Sequence, residues 1–335
     1  MAASDLTDFG GDSLFKTVFS GLVLREYEAR RLFAPLVTTR QVTRGKAVDF
    51  SLLGTVAPVY HTPGDNVILD NSHLKDVLHA KVNVTLNDKL IASTMVDELA
   101  ELKNDFPARA ELAAEMGRAI ADREDRLIAQ AITMAALGRR NGSATPNEMY
   151  SGEPAAGGYA VVDDSGGDTA ATRENLLSAL FSAATTLDEA NVPEDDRYFA
   201  VHPSYFHHLA RNTNVLNKDW GGSGVFADNK VFRVAGFSVI KSTNIPKITA
   251  DAAGLAGERN DLDFDPQNIQ SGAGNAGQLW GLCFHKGAAA VAKGMDMRTE
   301  VEYKTEYQGT LILASNVMGA AALRRQSAVI IAADD

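Results

Sequence analysis

Two sets of side chains in this sequence have the types and spacing that chemistry could use. Gly272-Ala273-Gly274-Asn275-Ala276-Gly277 satisfies G-x-G-x-x-G, the turn whose glycines let a helix N-terminus approach a dinucleotide pyrophosphate. That chemistry needs a hydrophobic strand before the turn and a helix after it. Here residues 249–271 are rich in Gly, Ala, Asp and Asn, and Gln278 to Phe284 reads as a strand, so the six residues read as a flexible loop. Asp261, Asp263 and Asp265 alternate as the first ligands of a calcium loop do, but Pro266 stands where that loop needs glycine and its twelfth position is Gly272, not glutamate. They read as a solvated acidic loop. The seven histidines, His61, His73, His79, His202, His207, His208 and His285, form no H-x-x-x-H or H-E-x-x-H pair, the spacing that presents two imidazoles to zinc from one helix face. Neither G-x-S-x-G nor a P-loop occurs, and Cys283 lies in the apolar run Leu279 to Phe284 with no context that would lower its pKa. The expectation is a chain that is not an enzyme, with no catalytic residue, cofactor or metal.

Composition narrows the class further. At 335 residues the chain has room for one elaborated domain or two ordinary ones. Hydrophobic residues are 45% and charged residues 22%, close to globular averages, which excludes disorder or a coiled coil as a description of the whole. The formal charge is −11 and no basic run forms a nucleic-acid footprint, which argues against tight, direct DNA binding. One cysteine excludes an intramolecular disulfide and a cysteine-rich metal site. Met1-Ala2-Ala3-Ser4-Asp5 lacks the basic and apolar regions of a signal peptide, and no apolar stretch approaches a membrane span. A soluble protein of a reducing cytoplasm, with no membrane partner, is expected.

The elements that would carry any function follow from periodicity. Leu14, Phe15, Val18, Phe19, Leu22 and Val23 recur at helical spacing, which predicts an amphipathic helix over 12–32. From Gln41 to Leu86 the pattern alternates: Val48, Phe50 and Leu52 on the way out, Val82, Val84 and Leu86 on the return, with the tip Thr62-Pro63-Gly64-Asp65-Asn66 between. This is a long hairpin with few apolar residues and open edges, so it should lie on a partner. Pro107 suits a first helical turn, and Leu112, Met116, Ile120, Leu127, Ala131 and Met134 then define one helix over 108–137, roughly 45 Å long at 1.5 Å per residue. The stretch to Gly167 reads as a loop and domain junction. A helix at 172–190, a strand at Arg197 to Val201, a helix at Pro203 to Arg211 and strands at Val231 to Val234 and Phe237 to Lys241 form an α/β segment. From Arg298 to Gln308, Arg298, Glu300, Glu302, Lys304, Glu306 and Gln308 take one face of a strand and Val301, Tyr303, Thr305 and Tyr307 the other. Thr310 to Ala314 and Ser327 to Ala332 supply further strands on either side of Gly319 and the Arg324-Arg325 pair. The hairpin, the long helix, the N-terminal helix and the charged strand all need neighbours, which favours a surface of subunit contacts.

The order of these elements resembles the major capsid proteins of tailed bacteriophages with the fold of phage Hong Kong 97 (HK97-like), and more closely the shell proteins of short-tailed podoviruses of the T-seven group. Val192-Pro193-Glu194-Asp195-Asp196-Arg197-Tyr198-Phe199 leading to His202-Pro203-Ser204-Tyr205 resembles that family's V-P-x-x-D-R-x-F segment and its continuation. Gly281-Leu282-Cys283-Phe284-His285-Lys286, then Ala289 to Met297 and the charged strand, is a second match; Gly45-Lys46 to Gly54 and Pro63-Gly64 agree as well. The resemblance spans nearly the whole chain, and its specificity lies in the order of short motifs.

An α+β fold in five parts is what the resemblance implies: an N-terminal arm (1–40), an extended loop (41–88), a peripheral domain with the spine helix (89–167), an axial domain (168–290) and return strands of the peripheral domain (291–335). It implies assembly, with an internal scaffolding protein and a portal at one vertex, of pentamers and hexamers into an icosahedral head. That head encloses double-stranded DNA held by weak, non-specific contact; the negative charge suits a wall that must not adhere to its contents. Expected interface residues are Lys46, Phe50, Pro63, Gly64, Lys75 and Lys81 on the loop and Arg298, Glu300, Glu302, Lys304 and Glu306 on the charged strand. Some relatives join a loop lysine to a peripheral asparagine; Lys75, Lys81 and Asn316 are the required types, although the T-seven group does not generally form that bond. The rival readings are an encapsulin-type cellular compartment and a soluble α/β nucleotide-binding enzyme using Gly272 to Gly277.

Overall fold

The computed structural model describes residues 11–53, 60, 63, 79–97, 108–136, 158–163, 170–212, 233–246 and 279–334. The Gly272–Gly277 turn, Asp261, Asp263 and Asp265, His61, His73, Gly64 and Lys75 lie outside them. Helix α1, Gly11–Arg30, buries Phe19, Val23 and Tyr27 against Ala113, Met116 and Ile120 of α2, Ala108–Ala136. The first half of α2 is therefore amphipathic, while residues 127–136 are all buried, as expected of a helix with a layer on more than one side.

Strands β1 (Thr38–Gln41), β2 (Ala47–Leu53), β3 (His79–Thr85) and β4 (Leu90–Asp97) follow α1. After α2 come β5 (Gly158–Asp163), helix α3 (Ala170–Glu189), β6 (Arg197–Val201), helix α4 (Pro203–Ala210), β7 (Arg233–Val234), β8 (Phe237–Lys241) and β9 (Leu279–His285). The chain ends in β10 (Ala289–Lys304), β11 (Gly309–Ala322) and β12 (Ala328–Asp334). One sheet has the order β1-β10-β11-β4 and a second β5-β12-β9-β6-β8-β7, while β2 and β3 pair as a separate antiparallel ribbon. In the β7–β8 turn both Ala235 and Gly236 have positive φ, 48° and 83°, the twist that matches a two-residue hairpin.

Alternation along each strand assigns the layers. Phe199, Val201, Trp280, Cys283, Val329 and Ile331 face α3 and α4, whereas Ala200, Leu282, Phe284 and Ile330 face the C-terminal half of α2. The proximal part of the β10–β11 pair sends Val291, Met318 and Ala320 to α2 and Ala290, Ala292 and Ala321 to the ribbon, where they meet Phe50, Leu52, Val82 and Val84. Its distal part, with β4, packs Ile312, Ala314, Ala92 and Val301 on α1 and α2. The ribbon is thus seated on its own chain at its base, where the sequence suggested a need for another molecule.

Four differences from the sequence reading have physical reasons. Strands β1, β4 and β5 are not among the sequence-predicted strands: β1 and β4 are the edges of one sheet and β5 an edge of the other; β1, Thr38-Thr39-Arg40-Gln41, is polar, as an edge strand can be, and β4 carries apolar residues on both faces. The charged strand stops at Lys304, because residues 305–308 form a turn in which Tyr307 N–H donates to Lys304 O at 3.2 Å and Gln308 takes φ 47°. Strand β11 continues through Gly319 instead of breaking there. Strand β12, assigned with 291–335 to the return strands, pairs in the six-stranded sheet with β5 and β9.

Gly319 is where the ribbon root crosses the ladder. A Cβ there would lie 1.9 Å from the Thr85 carbonyl oxygen, and one on Gly294 would lie 2.7 Å from Leu86 Cδ1. Gly319→Ala is expected to destabilise the unassembled subunit in urea by about 3 kcal/mol or more, because backbone cannot yield as a side chain can. Gly21→Ala, on α1 with nothing within 4 Å of the added atom, should instead gain up to about 1 kcal/mol.

Candidate interaction surfaces

The ribbon presents two unlike faces. Phe50, Leu52, Val82 and Val84 point inward, while Asp49, Ser51, Lys81 and Asn83 are exposed. Across the outer face Asn83 Nδ2 donates to Asp49 Oδ1 at 2.8 Å. Phe50, expected at a subunit interface, is 8% exposed and packs within its own chain, with the Arg40 guanidinium 5.2 Å from its ring centroid. Its place in the alternation puts it on the seated face. Lys46, Pro63 and Lys81 are exposed.

On the distal β10, Arg298, Glu300 and Glu302 are exposed on one face, as alternation predicts, with Lys304 partly buried at its end. The charges compensate one another along the strand: Arg298 Nε lies 3.0 Å from Glu300 Oε1 and Lys304 Nζ 2.7 Å from Glu302 Oε2. Glu306 stands outside this ladder, exposed in the turn.

A polar joint that the sequence did not reveal ties α1 to α2 and to β10 and β11. Glu124 and Asp125 of α2 are 1% and 0% exposed. Tyr27 Oη donates to Glu124 Oε2, and Lys293 Nζ lies 3.5 Å from Glu124 Oε1. Asn316 Nδ2 donates to Tyr27 Oη at 3.4 Å. Asp125 receives the chain as it leaves α1: Leu32 N–H donates to its Oδ2 at 2.9 Å and Phe33 N–H to its Oδ1 at 3.0 Å. Burial, and then the Glu124 charge, push the Tyr27 hydroxyl well above its ordinary value. Burial pushes Asp125 up to about 6, against the lowering effect of the two backbone donors. Asn316, the candidate amide for a bond to a loop lysine, is 2% exposed with its nitrogen turned to Tyr27, while Lys81 is on the outer face of the ribbon.

The segment Val192 to Phe199 is explained by Arg197, which is 4% exposed. Its Nε donates to Pro193 O at 2.9 Å, its guanidinium also reaches Val192 O, and Asp188 Oδ1 closes an ion pair at 2.8 Å. One guanidinium therefore holds the turn between α3 and β6, a structural task.

Catalytic chemistry finds little support among the described residues. Among the described residues no group of three or more His, Cys, Asp or Glu could hold a metal. Cys283 is fully buried and burial raises its thiol well above the ordinary value, the environment of an inert thiol. His202 caps α4 by accepting from Ser204 N–H, and His285 Nδ1 accepts from Gly287 N–H. Among the described residues no helix is long and apolar enough to cross a membrane.

Comparison with known proteins gives a consistent picture. A family profile described as "Gp10A-like: Major capsid protein" matches residues 50–332. The chain is similar to the major capsid protein of Escherichia phage T7, 26% identical over 329 residues that cover 94% of this chain and 90% of that one. The T7 minor capsid protein is likewise 26% identical, over 78% of its length. The capsid structure of Cyanophage P-SCSP1u aligns with a TM-score of 0.70 at 30% identity, covering 91% of this chain and 88% of that one. The mature capsid of bacteriophage PhiM1 aligns at 0.66 and 16% identity, covering 91% and 87%.

Asp125 makes the α1–α2 joint sensitive to pH. Its folded-state pKa, about 6 against an ordinary 3.8, means that the folded chain keeps a proton that the unfolded chain loses as pH rises above 4. The group then costs stability as pH climbs towards 6, and the whole cost, on the order of 3 kcal/mol, is present at pH 7. Asp125→Asn should remove that slope, since its carbonyl oxygen still accepts from Leu32 and Phe33. Unfolding free energies of wild type and variant at pH 4, 5, 6 and 7 should converge at the acid end and separate at the neutral end, with the variant the more stable at pH 7.

Proposed function

The chain belongs to the Gp10A-like major capsid protein family, whose profile spans residues 50–332, and with that membership as premise we propose how it builds its shell. It is a structural major capsid protein of a phage, with the HK97-like fold, and it self-associates in an icosahedral shell. The encapsulin reading is not favoured, since the relatives at 26% identity are the coat proteins of T7. An enzyme built on Gly272 to Gly277 has no support from this family.

In the arrangement proposed, copies meet as pentamers and hexamers, assembly runs on a scaffolding protein with a portal at one vertex, and it takes place in the host bacterial cytoplasm. Residues 1–40 are the arm, 41–88 the extended loop, 89–167 and 291–335 the peripheral domain and 168–290 the axial domain, with the six-stranded sheet drawing β5 and β12 across those boundaries. Lys46, Pro63, Gly64, Lys75 and Lys81 on the loop and Arg298, Glu300, Glu302, Lys304 and Glu306 at the charged strand are the proposed contacts. The head takes up double-stranded DNA, and weak contact follows from the charge of −11, since like charge keeps packaged phosphates from adhering.

The observation that carries the reading is the distribution of cover around the β10–β11 pair. A ribbon, a long helix and an N-terminal helix close its inner side and its proximal outer side, while its distal charged strand stands exposed. Co-expression with the scaffold should give closed shells by electron microscopy; only small discrete oligomers at every salt concentration would overturn the reading. Glu302→Lys breaks the 2.7 Å pair with Lys304 and should lower shell yield while changing subunit stability by less than about 1 kcal/mol, the scale of an exposed pair. Glu306→Lys, in the turn, should do less. Normal shells from Glu302→Lys would show that the ladder is merely solvated.

A further inference from the structure

We propose that the pocket between the root of the ribbon and the spine helix α2 binds ordered water, which bridges Asn87 to the buried carboxylate of Glu124. The pocket has a volume of about 130 Å³ and lies where the chain from Asn87 to Leu90 faces Arg123, Glu124 and Leu127 of α2 and Met318 of β11. That is room for more than one water molecule. Two of its lining residues, Asp88 and Lys89, are exposed, so solvent reaches it.

Two polar atoms of the lining residues are buried without a hydrogen bond. Glu124 is 1% exposed; its Oε2 accepts from Tyr27 Oη, but its Oε1 accepts no hydrogen bond and has only the Lys293 ammonium at 3.5 Å. Asn87 Nδ2 is a buried donor without an acceptor, although the backbone N–H of the same residue donates to Met318 O at 3.1 Å. A carboxylate oxygen in the interior is costly to leave without a donor. The amide hydrogens have the opposite need.

Those two needs identify the ligand class. One group donates and the other accepts, so the occupant must do both. A metal or ammonium ion would satisfy Glu124 and turn its charge on the Asn87 amide hydrogens; an anion would satisfy Asn87 and face a carboxylate. Charge favours neither ion, because the lining sets Asp88 and Glu124 against Lys89 and Arg123, and the Lys293 ammonium already stands beside Glu124. Water is neutral, donates twice and accepts twice. The apolar walls, Leu90, Leu127 and Met318, offer it no competing partner, which fixes its orientation.

The bridge gives the ribbon root two unlike attachments. To the ladder it is held backbone to backbone, by the bond from Asn87 to Met318 and by the close approach of Thr85 to Gly319. To the spine helix, at Asn87, it is held through a molecule that can exchange and re-aim its hydrogen bonds. A small shift of α2 beneath the ladder therefore meets less resistance there than a direct side-chain contact would give.

Density and substitution test this separately. In crystals of the subunit, or in shells, resolved to about 2 Å, a peak should lie within about 3.2 Å of both Asn87 Nδ2 and Glu124 Oε1. It should persist in Glu124→Gln, where a bound cation would lose its charge partner. No peak, an Asn87 amide in direct contact with Glu124, or an occupant lost in Glu124→Gln overturns the proposal. In urea unfolding, Asn87→Ala leaves room for water and Asn87→Leu does not. Beside Leu90, Leu127 and Met318 a leucine should be the more stable of the two if the pocket is dry. With water bound, the folding equilibrium constant of Asn87→Leu should instead lie about tenfold below that of Asn87→Ala, because Glu124 loses its donor. Asn87→Ser, which keeps a donor and the space, should stay within about threefold of wild type. Asn87→Leu as stable as Asn87→Ala, or Asn87→Ser as unstable as Asn87→Leu, overturns the proposal as well.

Discussion

A sheet has two faces, and the β10–β11 pair is too long for any single neighbour to cover both. That constraint orders the rest of the molecule. Helix α2 runs beneath the pair, buried all round where it also meets the six-stranded sheet and accompanied by α1 where it does not. The ribbon closes the proximal upper side, and it comes so near at Gly319 that the Thr85 backbone lies where a side chain would otherwise be, while the Leu86 side chain fills the space beside Gly294. Packing at that distance fixes the position of the ribbon root: any added methylene must push backbone against backbone, which cores tolerate poorly. What extends from the root is then aimed by the ladder.

The polar joint between α1 and the spine helix works on a different principle. Burying Glu124 and Asp125 in the middle of an apolar interface costs free energy that hydrogen bonds from Tyr27, Leu32 and Phe33 and the Lys293 ammonium only offset. Apolar contacts such as Phe19 on Ala113 allow sliding; a carboxylate that must receive two particular N–H groups does not. The joint therefore contributes little net stability and a defined angle of departure for the chain after Arg30. Its cost also makes it the place where acidity acts on the fold most directly.

Much of this was legible in the residues, and the failures are instructive. Period two at Val82, Val84 and Phe50, period 3.6 in α1 and the first half of α2 and the alternating charges after Met297 all gave elements the structure contains, because in each the core takes one face and solvent the other. Gly319 lies between the sequence-predicted strands, but its role depends on what crosses above it, a long-range fact with no local signature. Glu124 and Asp125 resemble the solvated face of a helix until Tyr27 and Lys293 arrive from 97 and 169 residues away in sequence. Phe50 was expected at a neighbour because the sequence shows no seat for the ribbon on its own chain; Ala290, Ala292 and Ala321, which form that seat, are too small to announce a core. Strand β4 escaped notice because both of its faces carry apolar residues, which blurs the period.

A shell must be both easy to assemble and hard to lose. A contact of a few half-exposed side chains is weak between two copies, far below a standard-sized interface. In a closed shell each copy is held by several such contacts at once, and leaving requires breaking them together, so modest pairwise affinity becomes large collective stability. Strong pairwise adhesion would instead trap misplaced subunits during growth. Compensating Arg298 and Lys304 with Glu300 and Glu302 inside each chain serves the same end, since charges already paired at home attract a neighbour little and need not be stripped of strong partners when one arrives.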